Sequence, residues 1–283
     1  MSVALALLSC LLWGSADFGG GLLARRLPSP VVVRWSQGAA LVFVGLLALA
    51  TGAWHDPSGW VGWSVAAGLA GMGGLVCFYA ALAGGTMGVV SPIAALGAVV
   101  PVLVGVLSGE RPSGLGVLGI VLGLAGAATA GGPEFRGGAQ ARPVLLACAA
   151  GVLFGTALVC ISRGVRFSTL MTMVGMRAAS VLVLGAAALV AARRTARRGE
   201  PPRRVPARLV PALVVVGIAD VGANLLFAVA SHHSLLSVVA VLAGLYPVAT
   251  VVLAGIVLRE RLRPVQRAGV VIALAGVGLL AGG

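Results

Sequence analysis

The chain has 283 residues, 59% of them hydrophobic and only 10% charged, with a mean hydropathy of +1.08. A soluble domain carries about 25% charged residues, and this chain lacks the polar groups needed to solvate an outer surface, so the composition excludes a water-soluble globule and points to lipid as the solvent. The net charge of +13 is carried by arginines lying between apolar runs, the pattern of cytoplasmic loops in a membrane protein, which argues against nucleic-acid binding.

The first apolar run follows Met1-Ser2-Val3-Ala4 without a basic leader and reaches Ala24 without an A-x-A-like cleavage site. It reads as a membrane helix rather than a removable signal. About 20 apolar residues cross a bilayer. Ten such runs predict an all-α integral membrane protein, with helices near 2–24, 30–51, 60–82, 86–108, 113–131, 143–163, 168–192, 209–231, 234–258 and 264–282. The breaks carry turn and charge chemistry, as in Arg25-Arg26-Leu27-Pro28-Ser29-Pro30, His55-Asp56-Pro57-Ser58-Gly59 and Glu110-Arg111-Pro112-Ser113. The fourth and ninth runs contain prolines, Pro92 and Pro101 in one and Pro247 in the other, which remove helix hydrogen bonds and predict kinks.

Arginine is concentrated in loops 25–30, 132–142, 193–208 and 259–263, which places these loops in the cytoplasm and both termini outside the cell membrane. The four cysteines lie in apolar segments without metal or disulfide spacing and read as packing residues, and no cofactor is expected.

The chain also repeats itself. Gly109-Glu110-Arg111-Pro112 followed by Gly119, Ala125 and Gly126 matches Arg259-Glu260-Arg261-Leu262 followed by Gly269, Ala275 and Gly276. Upstream, Trp13-Gly14-Ser15 matches Phe154-Gly155-Thr156, Val33-Arg34 matches Met176-Arg177, and Tyr79 matches Phe227. This predicts a first five-helix repeat over 1–131, a linker over 132–142 and a second repeat over 143–283. Five is odd, so the copies enter the membrane from opposite faces. Inverted repeats of this kind occur in secondary transporters, with the site near the midplane of a central cavity. The doubled pattern resembles the EamA family of the drug/metabolite transporter superfamily. That resemblance implies a ten-helix fold with a central cavity and export or import of small metabolites or drugs; efflux is the expectation for this chain. Relatives often keep both termini in the cytoplasm and a basic loop after the second helix, whereas Trp54-His55-Asp56-Pro57 carries no arginine here.

Within the membrane an ionised carboxylate is costly and should face a cavity or a partner. Asp17 lies eight residues before Arg25, about 12 Å in, and Asp220 twelve residues after Arg208, about 18 Å in. Their repeat counterparts are Leu158 and Met72, so neither acid belongs to the shared framework. Helical spacing joins Asn224 and Phe227 to Asp220, and Trp13 to Asp17. The reading is that Asp220, with Asp17, binds a proton or a cationic substrate. The competing readings are an acid hydrogen-bonded to Asn224, and an Asp17–Arg34 pair.

Tyr79, Ser91, Tyr246 and Thr250 are candidate hydrogen-bond partners for substrate, with aromatic packing the alternative for the tyrosines. Arg34 and Arg177 read as framework residues, Arg177 snorkelling to its interface. Glu110 with Arg111, and Glu260 with Arg261, read as interfacial or capping pairs. The glycines near the ends of the two halves, Gly116, Gly119, Gly123 and Gly126 with Gly269, Gly276 and Gly278, form small faces read as internal packing before a dimer interface, leaving monomer or homodimer open.

No Walker A sequence, H-E-x-x-H or nucleophile–base constellation is present, which weighs against ATP use and against an enzyme. The expected partners are a small-molecule substrate, protons and the lipid bilayer. The alternative function is a non-transporting scaffold or sensor using the basic loop 193–208.

Overall fold

A computed structural model describes residues 2–84, 87–130, 141–197, 205–246, 248–250, 253 and 264–282. Every regular element among them is helical. In chain order these are α1 (Ser2–Ala24), α2 (Ser29–Thr51), α3 (Val61–Gly84), α4 (Met87–Ala95), α5 (Val99–Leu107), α6 (Gly114–Ala130), α7 (Ala141–Gly164), α8 (Thr169–Arg197), α9 (Val210–His232), α10 (Leu236–Ala243) and α11 (Pro264–Gly282). Among the described residues six helices, α1, α2, α3, α7, α8 and α9, are long and apolar enough to cross a membrane. Shorter apolar helices lie at the other four expected positions. Helix α8 runs further than expected, carrying Arg193, Arg194 and Arg197 beyond the apolar stretch.

The sequence explains where helices stop. Pro28 and Pro30 open α2, where the first amides have no intrahelical partner to lose. Gly52 closes it at φ 72, its N–H reaching back to the carbonyls of Ala48 and Leu49. The predicted kink in the fourth run is a short 3-10 segment, Leu96–Ala98, between α4 and α5. Pro101 cannot donate to the carbonyl four residues back, that of Gly97, so the break falls where that bond is missing. The ninth run breaks likewise. Helix α10 ends at Ala243, the residue whose carbonyl a donor at position 247 would have used, and Gly244 follows. Pro247 itself lies outside the described residues.

Helix packing comes in matched pairs. Helix α1 packs on α9 as α7 packs on α3, and α2 meets α9 as α8 meets α3. Helix α4 lies on α7 as α10 lies on α1, while α2 with α8, α5 with α10, and α6 with α11 pack on one another. Exchanging α1–α6 for α7–α11 maps this set onto itself. The glycines of the repeated motif show why. Gly14 of α1 lies against the Tyr246 carbonyl, Ala249 and Thr250, leaving no room for a Cβ. Its counterpart Gly155 of α7 sits equally close to the Gly97 carbonyl and Val100. Each glycine therefore lets one half press against the broken helix of the other. The hydroxyls that follow them behave alike, Ser15 donating to the Leu11 carbonyl and Thr156 to the Val152 carbonyl, both at 2.8 Å.

Helices α6 and α11 approach through Gly119, Gly123 and Gly126, which face Leu280, Gly276 and Ala273. Small residues permit this contact where lipid supplies no hydrophobic drive. Gly119, Gly123, Gly126 and Gly276 thus pack internally, whereas a Cβ at Gly278 would meet nothing within 4 Å and one at Gly116 only Pro112 and Ser113 beside it.

Candidate functional site

A cavity opens between the two halves at the level of the broken helices. It measures about 80 Å³ as space open to water centres, room for several waters. Its apolar walls come from Gly97 and Ala98 at one break, Gly244 at the other, and Phe154 and Ile161 of α7. Its polar groups are Asp17 of α1, Arg177 of α8, Asp220 and Asn224 of α9, and Tyr246.

Four of the polar side chains around this space form one network. Arg177 is 1% exposed, and its Nη1 lies 3.1 Å from Asp220 Oδ2. The same Nη1 donates to Gln37 Oε1 of α2 at 2.6 Å, and Gln37 Nε2 donates to Asp220 Oδ2 at 3.1 Å. Asn224 Nδ2 donates to the Asp220 carbonyl at 2.7 Å and to Asp220 Oδ1 at 3.3 Å. Helices α2, α8 and α9 are thereby tied together in the interior. They can come this close because Gly217 of α9 lies against the Ser36 backbone of α2.

This corrects the reading of Arg177 as a snorkelling framework residue. Snorkelling suits an arginine with no counter-charge within reach; here Asp220 lies on the neighbouring helix, and the guanidinium stays buried. Asp220 is both a cavity residue and an acid bonded to Asn224, two readings that sequence held apart. Gln37 was missed. Its signal was available, since it is a polar residue one helical turn after Arg34 in an otherwise apolar run.

Asp17 differs. It lines the cavity and has no hydrogen bond or ion pair among the described residues, so the expected alternative of a pair with Arg34 is not what the structure holds. Trp13 lies beside it on α1 and packs on Phe227 at a ring separation of 5.8 Å. The Tyr246 hydroxyl, also at the cavity, is buried without a partner among the described residues.

Other candidates fall elsewhere. Tyr79 is 1% exposed, sets its hydroxyl end over Gly20 of α1 and lies tilted against Phe78 at a ring separation of 6.0 Å, while the cavity lining does not include it. Ser91 is buried but does not line the cavity. Thr250 donates to the carbonyls of Gly14 and Tyr246 and joins α1 to the tenth element.

Glu110 caps, but across the molecule rather than beside Arg111. Gly109, at φ 95, turns the chain there, a backbone conformation that glycine adopts without strain. The carboxylate then accepts the N–H groups of Leu236 and Ser237 at 2.9 and 3.1 Å, supplying the acceptors that the start of α10 lacks. Arg111 is exposed. Glu260 and Arg261 lie outside the described residues.

A buried charged network beside a small cavity, at the junction of two matched sets of helices, defines a multi-pass membrane protein of the transporter type. The family model described as "EamA-like transporter family" matches residues 1–131 and again 141–282, and the chain belongs to that family. A crystal structure described only as "Crystal structure of protein" is similar in fold, with a TM-score of 0.77 at 19% identity over 98% of this chain and 95% of the other. No curated protein matches the sequence.

Proposed function

We propose that this chain is a proton-coupled secondary transporter that exports small metabolites or drugs across the cell membrane by alternating access. Its two inverted halves, 1–131 and 143–283, rock about the cavity, with the Arg-rich loops cytoplasmic and both termini outside. The observation that carries the reading is a carboxylate, Asp17, without a hydrogen bond or ion pair among the described residues, on the wall of a cavity that both halves line. Asp220 already neutralises Arg177, so Asp17 is the group free to take up and release a proton or to meet a cation. The breaks at Leu96–Ala98 and after Ala243 give each half a hinge against the cavity.

The test is transport in proteoliposomes of defined orientation, with a panel of small metabolites and drugs under an imposed proton gradient. Asp17→Asn is expected to abolish gradient-driven accumulation while leaving substrate exchange intact. Accumulation at the unaltered rate would sink the coupling role, and no movement of any compound by the unaltered protein would sink the transporter reading.

A further inference from the structure

A second, larger cavity of about 340 Å³ lies at one end of the molecule, among the ends of α5, α7 and α9 and the start of α10. Its lining includes Arg163, Arg166, His232, Ser108 and Ser162. The acid in that lining, Glu110, is occupied by the two amides of α10 and by the positive end of that helix. Arg163 Nη2 donates to Ser108 Oγ at 3.0 Å, which holds its guanidinium at the mouth while leaving other donors free. The unengaged charge here is therefore cationic.

This mouth lies towards one membrane face from the central cavity. On α9 it is seven residues beyond Asn224, at Ser231, or about 10 Å along the helix. On α7 the two linings reach neighbouring residues, Ile161 and Ser162.

The central cavity offers cationic chemistry as well. Arg177 uses one nitrogen, Nη1, for both Gln37 and Asp220. Its Nε and Nη2 are buried without a partner among the described residues. Those two nitrogens form the fork that takes a carboxylate through two parallel hydrogen bonds. Both nitrogens are closed to water here, and leaving such donors unmade is unfavourable, so a partner is expected in a state in which the cavity opens to them. The unpartnered Tyr246 hydroxyl on the same cavity adds another donor.

Building on the transport reading, we propose that the substrate is a small organic acid whose carboxylate is bound by the free edge of Arg177 in the cavity and leaves past Arg163 and Arg166, which stand at the outer mouth in that topology. Charge balance extends the assignment. The Arg177–Asp220 pair is neutral, so a bound carboxylate facing Asp17 needs one compensating positive charge. An amino acid supplies it as its own ammonium group, and a simple acid supplies it as a proton on Asp17.

The experiment uses the full chain purified in detergent and acid–amide pairs of increasing size: acetate and acetamide, alanine and alaninamide, succinate and succinamide, tyrosine and tyrosinamide. Binding is read from tryptophan fluorescence, to which Trp13 at the cavity contributes, and from ligand-dependent thermal stabilisation. At least one acid should bind about tenfold or more tightly than its amide, the scale of a lost charge-assisted pair. If in no pair the acid binds more tightly than its amide, the proposal is overturned.

Alanine binding without proton uptake, or acetate binding with it, each supports the charge balance. An acid bound with neither charge contradicts it. Because binding needs no membrane, an acid that binds but is not carried by proteoliposomes sinks the transporter reading alone. Amides carried as fast as acids sink the substrate class alone. The double variant Arg163→Gln with Arg166→Gln leaves Arg177 untouched and should raise KM several-fold, with kcat preserved, for substrate presented at this outer face in oriented proteoliposomes; an unchanged KM removes the mouth from the proposal.

Discussion

Arg34 and Arg177 hold corresponding places in the two halves, at the same point of the second helix of each. Arg177 is 1% exposed and ion-paired, while Arg34 is half-buried with no ion pair among the described residues. The helices do not account for this, since α2 and α8 occupy equivalent positions in the packing. The difference lies on the neighbouring helix. Asp220 of α9 faces Arg177, whereas the residue at its place in α3 is Met72. A carboxylate within reach lets a guanidinium remain in the interior, and a thioether does not. One acid in one half therefore turns a shared framework arginine into part of the site.

The harshest way to break that comparison is to remove the acid. Asp220→Ala leaves the Arg177 charge buried and unpaired, and should cost about 3–5 kcal/mol, read as a large fall in the thermal unfolding midpoint in detergent. Replacing both partners, Asp220→Leu with Arg177→Met, should recover most of the loss, because an apolar pair of similar volume carries no uncompensated charge. A double variant no more stable than the single one would show that Gln37 and Asn224, not the ion pair, hold α2, α8 and α9 together.

Glu110 offers a milder case, a charge held by backbone amides instead of a counter-ion. Glu110→Ala strips the start of α10 of its acceptors and should cost about 1–2 kcal/mol, in the range of a lost helix cap. Hydrogen exchange at the Leu236 and Ser237 amides should rise with it. Unchanged protection there would mean that the cap contributes little to holding α10.

Much of this arrangement was legible in the chain, and the parts that were not share a cause. Helix positions follow from apolar length, and the prolines mark both breaks because a missing N–H is a local property. The repeat was visible because Gly14 and Gly155, or Gly126 and Gly276, are required by close contact with a neighbouring helix, and only one residue type meets that need. Asp17, Trp13, Asp220, Asn224 and Tyr246 line one cavity; for the two acids this follows because a carboxylate in an apolar run has few places to go.

What sequence could not supply was the pairing across helices. Gln37 and Arg177 lie 140 residues apart, and Arg177 and Asp220 lie on different helices. Periodicity within one helix says nothing about which neighbour it meets. Tyr79 shows the same limit: nothing on its own helix reveals that Gly20 of the adjacent helix opens a slot for its hydroxyl end.

Asp17→Asn separates the two acids of the cavity. With no ion pair or hydrogen bond to lose among the described residues, it should keep the unfolding free energy within about 1 kcal/mol of the unaltered protein, in contrast to Asp220→Ala. A destabilisation as large as that of Asp220→Ala would show Asp17 to be tied into the framework after all.

The smallest effect is expected at Arg34. It has no acid to leave unpaired, and its head group is partly exposed, so Arg34→Gln removes a charge that the structure does not use for pairing. The change should stay within about 0.5 kcal/mol, measured in the same detergent as Arg177→Gln, which removes the charge facing Asp220 and should fall in the range of a broken buried pair. Introducing the missing acid is the stricter form of this test. Met72→Asp puts a carboxylate at the Asp220 position of the first half, where Arg34 is the matching arginine. Alone it should destabilise, but with Arg34 intact it should do so by less than in an Arg34→Gln background, and the difference between those two costs is the coupling energy. A coupling of zero would mean that the two halves differ in more than one acid, and that α2 and α3 do not present these positions to each other as α8 and α9 do.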